Sequence, residues 1–167
     1  MDLKPALKKL ESDSSFKEWH SQNNSTYFSY AFKIPQEMGS NDWQIGFYNK
    51  QKDRITTFAI VGDNIDIRPE EEIFKKEDMK VNEIQLDKVK MTFDDAISKA
   101  NEFQEKNYPK DKSIKTIVIL QNIPDFGNIW NITLVTEAFN TLNMKIDASN
   151  GKVIEHKLSS VFSFKQD

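Results

Sequence analysis

Leu142-Asn143-Met144-Lys145-Ile146-Asp147-Ala148-Ser149-Asn150-Gly151-Lys152-Val153 is the stretch on which the reading of this chain turns. Leu142, Met144 and Ile146 alternate with Asn143, Lys145 and Asp147, the period of a strand that buries one face. The alternation stops at Ala148-Ser149-Asn150-Gly151, and an apolar residue returns at Val153. Asn150-Gly151 predicts a type I′ hairpin turn, because that turn needs residues tolerant of positive φ. Two antiparallel strands follow from these twelve residues.

The same grammar extends upstream. Ile117 and Ile119, then Trp130, Ile132 and Leu134, predict two more strands. Before them Phe93, Ala96, Ile97, Ala100 and Phe103 fall at helical spacing. Thr92 with Asp95 resembles a capping box with Asp in place of Glu, and Pro109 stops the helix. Residues 90–167 therefore read as a helix followed by about four antiparallel strands, an α+β layer arrangement with the helix on one sheet face.

Residues 1–80 repeat the order. Leu3, Ala6, Leu7 and Leu10 make one helical stripe, and Ser12-Asp13-Ser14-Ser15 interrupts it. Ser15 with Glu18 predicts a capping box that restarts a helix through Phe16 and Trp19. Phe28, Tyr30, Phe32 and Ile34 alternate with Tyr27, Ser29, Ala31 and Lys33. Further strand signals follow at Trp43, Ile45 and Phe47, at Phe58 and Ile60, and at Ile65 and Ile67, with Gly62-Asp63-Asn64 as a turn. Pro35 and Pro124 stand 89 residues apart, Trp43 and Trp130 87 apart, Phe74 and Phe162 88 apart. This spacing predicts a doubled chain. Its units are 1–80, a degenerate copy, and 90–167, joined by Met79 to Lys90. By parity Val118, Leu120 and Val135, beside Thr116 and Thr133, occupy the sheet face away from the helix. An apolar face needs a cover. The expected cover is the first unit, through Tyr27, Ala31 and Tyr48; a homodimer is the competing one.

The second unit resembles the PepSY-like domain family. The resemblance rests on Ala96-Ile97-Ser98-Lys99-Ala100, on Ile129-Trp130-Asn131-Ile132-Thr133-Leu134, and above all on Lys145-Ile146-Asp147-Ala148-Ser149-Asn150-Gly151-Lys152-Val153-Ile154. The ending of an apolar strand, Asp-Ala, a turn with Gly, then Lys and Val is the family's; Asn150 stands where the family often has Thr. The first unit follows only through the repeat, with Ala59 and Gly62 in the places of Asp147 and Asn150. The resemblance implies a tandem of non-catalytic modules that bind or regulate peptidases or other protein partners, with no catalytic residue to carry over.

Composition narrows the classes. The chain has 167 residues, with 23 Lys+Arg against 26 Asp+Glu and a net charge of −3, which argues against nucleic-acid binding. Lysine outnumbers arginine 21 to 2, which disfavours bidentate phosphate recognition. Mean hydropathy is −0.64, and no run approaches the ~18 apolar residues of a membrane span. With no cysteine, disulfides, thiolate metal sites and cysteine nucleophiles are excluded. Met1-Asp2-Leu3-Lys4-Pro5 has no apolar leader, so a complete chain is expected in the cytoplasm, and one whose leader has been removed outside it.

Chemistry-bearing residues are sparse. His20 and His156 are the two histidines and would need to converge with carboxylates to form a metal or acid–base site. Glu70-Glu71-Glu72 with Glu77 and Asp78 lacks the ligand spacing of a calcium loop and reads as a solvated edge, with Lys75 and Lys76 as counter-charge. Asp147 to Gly151 reads as a turn rather than a calcium loop. The 5 glycines form no phosphate loop and no serine sits in a nucleophile elbow. Trp43 and Trp130 read as core residues, and Gln121, Asn122, Asn131 and Thr133 are candidates for a polar groove. The expectation is no enzyme, no cofactor and no metal. The leading function is a binding or regulatory protein with an unidentified protein partner; the alternative is a small-molecule site between the two units.

Overall fold

The computed structural model describes residues 1–35, 43–73 and 79–162. Phe74, Lys75, Lys76, Glu77 and Asp78 lie outside the described residues, and with them one anchor of the repeat and part of the acidic run.

Three α-helices form where the apolar stripes place them: α1 (Leu3–Ser12), α2 (Ser14–Gln22) and α3 (Phe93–Asn107). The α1 stripe buries Leu3, Ala6, Leu7 and Leu10. The break between α1 and α2 is at Asp13, whose side chain accepts from the Phe16 N–H and caps α2. The cap is thus Asp13 rather than Ser15; an acidic side chain two residues earlier reaches the same orphan amides. At α3 the capping box of Thr92 and Asp95 is formed in both directions.

Nine strands follow: β1 (Thr26–Lys33), β2 (Gln44–Asn49), β3 (Arg54–Val61), β4 (Asn64–Ile67), β5 (Glu71–Glu72), β6 (Ser113–Ile123), β7 (Gly127–Thr136), β8 (Asn140–Asp147) and β9 (Val153–Ser160). They make one antiparallel sheet in the order β4-β3-β2-β1-β6-β7-β8-β9, with β5 paired to β3. Each half of the chain contributes its first strand to the centre and its last to an edge. The halves therefore join edge to edge through β1 and β6, not face to face. The expected stacking of the first half over the second half's open face is corrected by this seam, in which Tyr30 to Lys33 pair with Gln121 to Val118.

A register row crosses the sheet from β3 to β9 on the helix side: Phe58, Ile45, Ala31, Leu120, Trp130, Ile146 and Val153 are successive cross-strand neighbours. All seven belong to or pack against one core cluster with the helix stripes. Val118 and Leu120 are fully buried in it, on the face opposite to the one their parity suggested. Thr116-Ile117-Val118-Ile119-Leu120 is an unbroken run without charge, so period two cannot choose its phase, and a one-residue slip exchanges the faces. A bulge between Phe28 and Tyr30 does the same in β1. Phe28 and Ala31 face the core, whereas Tyr30 and Phe32 face away from the helices.

The turn after β8 departs from the expected type, whereas the turn at Gly62 forms where it was expected. At the end of β8, only Gly151 has positive φ, at 77°, and its N–H donates to the Asp147 carbonyl while the Asp147 N–H donates to Lys152. This is a four-residue loop with one left-handed glycine, not a type I′ turn with two. Between β3 and β4, Val61 pairs with Asn64, leaving Gly62 and Asp63 as a two-residue loop with Gly62 at φ 58°.

Candidate functional site

The sheet face away from the helices carries a groove at the central seam, of about 430 Å³. Its floor is Tyr30 and Phe32 of β1 with Ile119 and Gln121 of β6. Phe32 pairs with Ile119 and Tyr30 with Gln121, so the floor spans the join between the two halves. Ile55 and Glu72 form one side, Asn122 and Ile123 the other. The exposed lining is mainly apolar, with amide and carboxylate groups at the rim.

Tyr30 owes its place to Gly46. A Cβ at Gly46 would lie 1.9 Å from the Tyr30 ring, so the ring lies directly over the β2 backbone. From there its hydroxyl reaches the Thr57 Oγ1 at 2.6 Å across β2. Burial raises the Tyr30 phenol pKa, and the bond to Thr57 only partly offsets this. Tyr30 is therefore a neutral hydrogen-bonding group at neutral pH. The signal for this arrangement was the lone glycine inside an apolar strand, which marks a close approach.

The segment between the halves forms the last wall. Met79 to Asn82 line the groove. The Tyr27 hydroxyl donates to the Val81 carbonyl at 2.6 Å, and Asn122 Nδ2 donates to the Glu83 carbonyl at 2.7 Å. Ile84 then donates its N–H to Phe28 and buries its side chain in the core on the helix side. The Gln85 N–H continues the path to the Asn128 Oδ1. The connection thus passes from the open face to the core through the gap where β1 and β6 separate.

The four polar candidates divide. Gln121 and Asn122 line the groove. Asn131 and Thr133 lie farther out on the same face, where Asn143 Nδ2 donates to both, at 2.7 and 2.9 Å. That network joins β7 and β8 on the second half's face, beside Ile117 and Val135.

The Lys145–Ile154 turn ties the entry of α3 to the end of β8. Ala148 is fully buried, its N–H donates to Asn128, and its carbonyl accepts from Lys90 and Met91 as the chain enters α3. Burial would raise the Asp147 pKa, but hydrogen bonds from the Ser149 hydroxyl and the Ser149 and Asn150 amides outweigh it and hold the carboxyl below its ordinary range. A polar hollow of about 420 Å³ adjoins the turn, lined by Gln85, Asp87, Lys88, Asn128, Asp147 and Ser149.

The histidines do not meet. His20 is exposed and stacks on Phe16, with ring centroids 5.5 Å apart. His156, on β9, accepts or donates at 2.6 Å to the Tyr108 hydroxyl and packs against Phe103. Glu70 and Glu72 pair with Lys52 and Arg54, at 3.1 and 3.3 Å. Among the described residues no group of three or more His, Asp or Glu is placed to hold a metal ion. Trp43 and Trp130 are fully buried, on either side of the Phe93 ring.

No helix among the described residues is long and apolar enough to cross a membrane. No family model matches the chain, and no curated protein matches it in sequence. Its fold is similar to the crystal structure of a "putative lipoprotein" from Clostridium difficile 630, with a TM-score of 0.56, over 90% of this chain and 97% of that one, at 14% identity.

Proposed function

We propose that this chain is a non-catalytic binding protein, built as two PepSY-like units of residues 1–80 and 90–167, that takes a segment of a protein partner into the groove on its open sheet face. The observation that carries this reading is the groove itself: half-buried Tyr30, Phe32 and Ile119 are gathered at the seam and walled by Met79 to Asn82. Aromatic anchors in a concave site with a polar rim are what protein recognition uses. The matching order of helix and strands in the two halves supports the doubling.

A second reading, a small apolar molecule in the same groove, is favoured by its volume of about 430 Å³, within the range of ligand pockets. Of the two compartments the sequence leaves open, the extracytoplasmic one suits a chain whose fold is similar to that lipoprotein. Fractionation of host cells decides it.

Ile119→Lys puts a charge on the groove floor. If a host protein is retained by the native chain and lost by this variant, with melting temperature changed by only a few degrees, the protein-partner reading stands. If a small apolar compound instead raises the melting temperature of the native chain and not of Ile119→Lys, the second reading replaces it. Equal retention by both chains of every partner and compound overturns both.

A further inference from the structure

The two edges of the sheet are unequal. β4 has four residues, and β5 continues along the same side of β3. β9 has eight residues and among the described strands pairs on one side only, with β8. Among the described residues the outer side of Ile154 to Leu158 is therefore a row of main-chain donors and acceptors, a template for another strand. Glu155, His156, Lys157 and Leu158 are all exposed, and Leu158 leaves 36% of its surface in solvent.

The order of side chains along this edge is self-complementary. Ile154-Glu155-His156-Lys157-Leu158 reads apolar, acidic, His, basic, apolar. In an antiparallel pair about a two-fold axis through His156, Glu155 stands opposite the partner's Lys157, and Lys157 opposite the partner's Glu155. Ile154 stands opposite the partner's Leu158 in the same way. Residues directly opposite share a face, so each contact is between side chains on one side of the sheet. The ladder with β8 is regular from Glu155 to Ser160, and its one irregularity falls at the Ile154 flank. Lys145 of β8 already holds Glu155 at 2.8 Å, which fixes that carboxylate beside the axis. Asn143, the β8 neighbour of Lys157, brings no competing charge.

We propose that β9 is a homodimerisation edge, where two copies pair antiparallel about His156 to make one continuous sheet. The contact is isologous and closes on itself, so it yields a dimer rather than a fibre. It leaves the open-face groove free in both copies.

The test uses two single variants of the full chain. Glu155→Lys sets lysine against lysine twice across the axis; Lys157→Glu sets glutamate against glutamate twice. Sedimentation across a concentration series should show the native chain dimerising and each variant weakened by about tenfold or more, from the loss of two attractive pairs and the gain of two repulsive ones. Mixing the two variants should restore the dimer, because the mixed pair carries two Lys–Glu contacts and no like-charge pair. Circular dichroism melts confirm that each variant is folded. A native chain that stays monomeric to several hundred micromolar overturns the proposal, as do folded variants that dimerise as tightly as the native chain. Folded variants that both weaken but fail to recover on mixing refute this register.

Discussion

Trp43 stands just before β2 and Trp130 lies on β7, and their indole N–H groups fare differently. Trp43 Nε1 donates to the Met1 carbonyl at 3.0 Å. Trp130 Nε1 is buried and has no acceptor among the described residues. The open faces of the halves differ as well. The first is aromatic, with Tyr30 laid over Gly46; the second is aliphatic with polar side chains among it, where Asn143 bridges Asn131 and Thr133. The core row fixes the sheet on the helix side and leaves the far face free to vary. Binding is expected where that face is apolar and incompletely covered.

The sharpest way to break this comparison is to empty the shared core. Trp130→Ala should cost roughly 3–5 kcal/mol, as aromatic truncations in cores do, measured by denaturant unfolding. A loss below 1 kcal/mol would place Trp130 outside the core. Gly46→Val should follow at about 1–3 kcal/mol, because its side chain collides with the Tyr30 ring. In a Tyr30→Ala background the same change should cost measurably less, and full additivity would deny the contact. Gly151→Val should lose about 1–3 kcal/mol, since a β-branched residue resists a φ of 77° and its Cβ would meet Met91 Sδ at 3.0 Å.

Smaller still is the contrast between the two indoles. Trp43→Phe and Trp130→Phe leave similar voids, but only the first gives up a hydrogen bond. Trp43→Phe should therefore be the more destabilising by about 1 kcal/mol; the reverse order would mean that Trp130 Nε1 is well satisfied. The smallest effect concerns pH. The Asp147 carboxyl is held below its ordinary range when folded, so its contribution to stability is present above about pH 4 and lost as pH falls through the folded value. Ser149→Ala should lower the neutral plateau slightly, flatten the acid limb of the stability curve and leave stability below the folded value nearly unchanged.

The element order, the Thr92 capping box and the burial of both tryptophans were legible in the residues, because each has a local cause: periodicity, a cap, a large apolar side chain. The faces of β1 and β6 were not. An uncharged run such as Thr116 to Leu120 has no polar residue to mark its phase, and the bulge before Tyr30 shifts the phase within one strand. The groove depends on both, so its floor could not be assembled from alternation alone, although Gln121 and Asn122 pointed to it. β5 was hidden in an acidic run, and its pairing with β3 rests on long-range neighbours.

Among the described strands, every pairing except that of β1 with β6 joins strands at most two apart in the chain. Contacts between near neighbours form quickly, whereas the β1–β6 zipper must wait for a loop of nearly ninety residues to close. The two meanders should therefore gain hydrogen-exchange protection before the zipper does. In folding time, the groove floor is the last part of the sheet to exist.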